Sequence, residues 1–145
     1  MRLDTKQKVL IAIYTEYQKD IPEIHSEVRA EKLGIDEEAF DIAIVKLENE
    51  GLITDTSLMN RTISVASKNR WGIGSRLDDT KMTPWGIEYV ETKLGLEKTM
   101  SGMEKVQEMA KKSATWGWNE FKDVTVKVLS EMGKHGMDRM LGNGE

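Results

Sequence analysis

The stretch from Ile35 to Thr56, IDEEAFDIAIVKLENEGLITDT, does most to narrow the folds open to this chain. Asp36 is a good N-cap, and the acids behind it in the first turn suit the positive end of a helix dipole. Phe40, Ala43 or Ile44, and Leu47 recur at helical spacing, and Gly51 stands where a helix should stop. Leu52-Ile53-Thr54 then reads as a short strand. A capped helix that passes through one glycine straight into a strand fits few arrangements of its neighbours.

The chain before it supplies two helices. Lys6 to Tyr17 places Val9, Leu10, Ile13, Tyr14 and Tyr17 on one face, with Lys6, Lys8, Glu16 and Lys19 around the other. Asp20-Ile21-Pro22 breaks this helix, because proline disfavours helix at the residue before it. A short helix over Glu27 to Leu33 opens at Glu23 or Ser26 and ends at Gly34, with Ile24, Val28 and Leu33 as its buried contacts.

The chain after it reads as a hairpin and a closing helix. Leu52 to Thr56 is the first strand, Ser57 to Asn60 a polar tip, and Arg61 to Ser67 the return strand, in which Ile63 and Val65 face one way. Lys81-Met82 reads as a third short strand. Thr83 caps a helix with Pro84 at its first position, and Trp85, Tyr89, Val90 and Leu94 form its apolar side up to Gly95. Helix, short helix, glycine turn, helix, hairpin is the order of a winged helix-turn-helix. The expected fold class is therefore α+β and mainly helical, with that domain over residues 1–95.

The last third differs in character. Glu97 to Ala114 and Asn119 to Met132 read as two helices separated by Trp116-Gly117-Trp118, a helical extension over 96–132. Met100, Met103, Val106, Met109 and Ala110 stripe the first; Trp118, Phe121, Val124 or Thr125, Val128 and Met132 stripe the second. These stripes point to packing on the first helix or to a homodimer contact, with Trp116, Trp118, Phe121 and Val128 as anchors. Residues 133–145 hold four glycines and read as a flexible tail.

Two segments of the chain carry a family resemblance. KMTPWGIEYV, Lys81 to Val90, together with AFDIAIVKLENEGLI, Ala39 to Ile53, resembles the YjcQ-like family of small winged-helix proteins from Gram-positive bacteria and their phages. It covers about Lys6 to Leu94. The resemblance implies the winged-helix fold and is nearly silent on activity. In related regulators the third helix enters the major groove and the wing touches the flanking backbone.

Composition sets limits on function. At 145 residues there is room for one ordinary domain and an extension. With no cysteine, disulfides and thiolate metal sites are excluded, which fits a cytoplasmic protein. No apolar run is long enough to cross a bilayer. The net charge of −4 gives the whole molecule no long-range attraction to nucleic acid, so any such contact needs a local basic patch.

That patch lies after the third helix. Arg61, Lys68, Arg70 and Arg76 stand in a stretch without an acid, giving +4 from 61 to 76, and Trp71 sits among them between polar residues and glycines. Basic residues interleaved with one aromatic suit phosphate contact and a minor-groove probe; a solvated loop with Trp71 folded onto the core is the plainer alternative. The third helix argues the other way. Asp36, Glu37, Glu38, Asp41, Glu48 and Glu50 stand against Lys46 alone, and phosphates would repel such a helix. Its minor share of base contact would fall to Lys46 and Asn49.

Catalysis is not expected. His25 and His135 lie far apart, no metal-ligand spacing appears, and Gly72-Ile73-Gly74-Ser75 fits no nucleotide or nucleophile motif. No cofactor or metal is anticipated. The sequence thus predicts a small bacterial or phage regulator that meets double-stranded DNA through a basic wing. The alternative is a winged-helix module whose acidic third helix meets a basic host or phage protein.

Overall fold

The computed structural model describes residues 2–60 and 73–143. The expected return strand, Arg61 to Ser67, lies outside the described residues. Helix α1, Thr5–Tyr17, is the centre of the fold. Asp4 and Gln7 close a reciprocal capping box, with Gln7 N–H donating to Asp4 Oδ1 at 2.8 Å. Every residue from Val9 to Glu16 is buried, not one face only. The segment VLIAIYT is apolar around its whole circumference, and such a helix is covered on all sides. Here the cover comes from helices that follow it in the chain.

The second expected helix forms as two short turns, α2 (Ile24–Glu27) and α3 (Ala30–Leu33), with Ile24, Val28 and Leu33 buried as their spacing requires. Gly34 then adopts a left-handed conformation, φ 67°, and the chain enters α4, Glu37–Asn49. Asp36 caps α4 by accepting from the Ala39 N–H at 3.2 Å. Phe40, Ala43, Ile44 and Leu47 face the core.

A ribbon of antiparallel strands follows. Strand β1 (Ile53–Thr54) pairs with β4 (Lys81–Met82), and β2 (Ser57–Asn60) pairs with β3 (Ile73–Arg76). Residues expected to form the tip, Ser57 to Asn60, are thus a strand. Two residues on one side and four on the other interrupt the ladder, where Asp55 takes φ 62° and the Thr56 and Thr80 hydroxyls lie 3.0 Å apart. That offset is a bulge, which bends a ribbon and raises its twist.

Helix α5, Pro84–Leu94, is clamped to the end of α4 by its first turn. Thr83 Oγ1 donates to the Gly51 carbonyl at 2.6 Å and accepts from the Gly86 N–H at 3.0 Å. A Cβ on Gly86 would stand 2.0 Å from the Leu52 carbonyl oxygen, so only glycine allows this approach. The clamp also turns the helix relative to its expected face. Gly86, Val90 and Leu94 point inward, while Trp85 is 72% exposed and Tyr89 39%.

The extension joins the same core. Helix α6 spans Gly102–Lys112, starting later than its apolar stripe suggests because Ser101 and Glu104 form a capping box there. A 3₁₀ turn leads to α7, Glu120–Asn143, which runs on through Gly133, Gly136 and Gly142 of the expected tail. Trp116, Trp118, Phe121 and Val128 are 5%, 4%, 0% and 3% exposed and sit in one cluster with Leu10, Ile13 and Leu33. Within the chain their surface is covered by α1, α3 and one another. The Trp118 and Phe121 rings stack at 4.8 Å, and Lys8 Nζ lies 5.6 Å from the Trp118 ring.

Two buried charge networks tie the layers together. Glu91 Oε2 of α5 accepts from Tyr14 of α1 at 2.8 Å and from Lys105 of α6 at 2.7 Å. Burial alone would raise the Glu91 carboxyl, but the bonds from Lys105 and Tyr14 outweigh it and hold it below the ordinary carboxylate range. Lys19, at the end of α1, lies 2.6 Å from Glu16 and 2.5 Å from Glu131. Among the described residues no helix is long and apolar enough to cross a membrane.

Candidate nucleic-acid interface

Helix α4, the β-ribbon and the two short helices before them meet along one side of the molecule. On α4 the arc left to solvent carries Lys46 and Asn49, both exposed, with Ile42 half-buried beside them. Lys46 and Asn49 thus share one exposed arc of the helix. The acids are distributed differently from their count. Asp41 is buried, Glu48 is half-buried, and Glu50 is held by Lys6 at 2.8 Å. Helix α4 therefore presents less negative charge than its sequence suggests, concentrated at Asp36 and Glu37 in the first turn.

The ribbon leaves the far end of α4. Its outermost pairing is Asn60 with Ile73, and Arg76 closes β3 opposite Ser57. Arg61, Lys68, Arg70 and Trp71 lie outside the described residues.

The base of the ribbon is fixed by a residue that sequence reasoning passed over. The Leu77 N–H donates to His25 Nδ1 of α2 at 3.3 Å, and Asp78 Oδ1 lies 3.8 Å from the same nitrogen. As acceptor, Nδ1 is the unprotonated nitrogen, so the proton of a neutral ring sits on Nε2. No local pattern announces this contact, since His25 and Leu77 are far apart in the chain. Next to it, His25, Val28, Ile35, Phe40, Asp41 and Leu77 line an open groove of about 430 Å³. Among the described residues no cluster of three or more side chains has the makings of a metal site.

The turn that fixes α5, Thr83-Pro84-Trp85-Gly86, and the Gly51-Leu52 segment that follows α4 are thus one structural unit. A family model described as YjcQ protein matches residues 7–109. The chain belongs to the YjcQ family. The YjcQ match extends past the segment that carried the resemblance and into α6, consistent with α6 packing on α5 through Lys105 and Glu91. Helix α7 lies beyond it. No curated protein and no solved structure matches the chain.

Proposed function

We propose that α1 to β4 form a winged helix-turn-helix and that this YjcQ-family chain binds double-stranded DNA chiefly through its wing, as a small regulatory protein. The observation that carries the reading is the ladder ending at Asn60 and Ile73. The segment that joins those two residues holds Arg61, Lys68, Arg70 and Trp71 and no acid. Arg76 adds a fourth cation on the returning strand. These residues supply phosphate contacts, with Trp71 near a groove, while Lys46 and Asn49 add a minor share from α4. The burial of Asp41 and the pairing of Glu50 with Lys6 lower the repulsion that α4 would otherwise offer. The reading includes no catalytic step and no cofactor.

Charge reversal of Arg70 and Arg76 tests it by filter retention of labelled duplex. The doubly reversed variant should lose retention; retention equal to the parent's would rule out the wing.

A second reading is favoured by the exposure of Asp36 and Glu37 at the start of α4. In it the same fold meets a basic protein, and neutralising Glu37 and Glu38 would abolish that contact, with buried Asp41 taking no part.

A further inference from the structure

A second cavity, of about 380 Å³, opens between α1, the α2–α3 turn and α7, on the side of α3 where α7 packs. Its volume falls in the range of small-molecule sites. The floor is apolar, formed by Ala12, Val28, Leu33, Val124 and Val128. The charges around it do not balance. Lys32 and Lys127 are both committed to the single carboxylate of Glu27, at 3.1 and 2.7 Å. Of the other lining acids, Glu16 is paired with Lys19 at 2.6 Å and Glu31 lies 3.6 Å from Arg29, which leaves Glu120 and Asp123 at the rim with no lysine of the lining to offset them.

Glu16 is the deepest of these, at 2% exposure. Lys19 Nζ and the Glu23 N–H both meet its Oε1, at 2.6 and 3.1 Å, so its charge is compensated and the rim pair, Glu120 and Asp123, is what an ammonium in the cavity would meet. Five of the lining residues (Glu120, Asp123, Val124, Lys127 and Val128) come from α7, outside the family match, so the cavity is completed by this chain's extension.

We propose that this cavity binds a small amphiphilic cation, an apolar body bearing one ammonium group. The apolar body would cover the valine and leucine floor, and the ammonium would face the carboxylates that the lining lysines do not balance. An anion of the same shape would meet uncompensated like charge in a partly desolvated site, and a neutral one would gain the floor contacts alone. This inference stands apart from the DNA reading and does not depend on it.

The test is calorimetric titration of the full chain with n-octylammonium, n-octanol and n-octanoate, each below its aggregation limit. Two variants run beside the parent: Val124→Trp, which fills the cavity from its half-buried wall, and the pair Glu120→Gln with Asp123→Asn at the exposed rim. The expected result is one saturable site for octylammonium, weaker binding of octanol, none of octanoate, and a several-fold loss in the rim variant. Val124→Trp should abolish binding while keeping the parent's circular dichroism; should it fail to fold, the rim variant decides. Equal binding of all three probes, no octylammonium binding by the parent, or an unchanged rim variant would overturn the proposal.

Discussion

The indole N–H of Trp118 donates a 2.8 Å hydrogen bond to the carbonyl oxygen of Leu33. Leu33 is the last residue of α3, one step before the left-handed Gly34 and three before the Asp36 cap of α4. The extension therefore completes the turn that aims α4: it satisfies a helix-end carbonyl that has no partner within its own helix. The Glu120 side chain closes the same turn, since a Cβ on Gly34 would lie 2.6 Å from its Oε1.

Replacing Trp118 with Phe should keep the stack on Phe121 but leave the Leu33 carbonyl buried without its donor. The expected cost is about 1–3 kcal/mol, and truncation to Ala should cost roughly 3–5 kcal/mol. Urea unfolding of both variants measures this, and a Trp118→Phe protein as stable as the parent would show that the bond contributes nothing.

Gly86→Ala should be among the most damaging single changes available. Its Cβ would meet backbone, the Leu52 carbonyl oxygen at 2.0 Å, which cannot swing aside as a side chain can. We expect a loss of about 3 kcal/mol or failure to fold. Gly133→Ala is the control. Nothing lies within 4 Å of its Cβ position in α7, so alanine there should stabilise by up to about 1 kcal/mol through helix propensity. Thermal unfolding that ranks the two variants the other way round would contradict the clamp.

Acid should unfold the protein through Glu91 and Glu27. Both are held below their ordinary value of 4.5: burial acts upward on each, but the bonds from Lys105 and Tyr14 to Glu91, and from Lys127 and Lys32 to Glu27, prevail. In this window the unfolded chain binds more protons than the folded one, so their contribution is present above pH 4.5 and lost as the pH falls below it. Lys105→Met should cost about 3 kcal/mol at neutral pH by stranding a buried carboxylate, and should flatten the acid limb of the stability profile. A profile unchanged in slope would assign acid sensitivity elsewhere.

His25→Ala removes the acceptor for the Leu77 N–H at the base of the ribbon. Amide hydrogen exchange at Leu77 should speed up markedly, while amides in the centre of α1 should exchange as in the parent. Equal protection of Leu77 in both proteins would show that the ribbon is positioned without His25.

Local chemistry was readable from the sequence where each signal and its partner lie close together. The Asp36 cap, the Gly51 stop and the Thr83-Pro84 start all formed where their residues required. Contacts across long stretches of chain were not readable. The stripe of Trp118, Phe121 and Val128 shows that a face is buried but not against what, and within the chain α1 and α3 cover it. Likewise Glu16 and Lys19 looked like solvated residues because the carboxylate of Glu131 that completes their network comes from the far end of the chain. The strand pairing was missed because Asp55 in a left-handed conformation breaks the ladder, a feature that propensity alone does not announce at an aspartate.

The central claim is that the wing's cations contact phosphate, and its most direct test is the salt dependence of binding to mixed-sequence duplex DNA. Four contacts predict a slope of about −3.6 in log affinity against log salt, since each neutralised phosphate contributes about −0.9. Removing the charges of Arg70 and Arg76 should weaken binding and reduce that slope by about 1.8. A parent that binds no duplex at low salt, or a slope that stays the same in the double variant, would contradict the account and turn attention to the acidic start of α4.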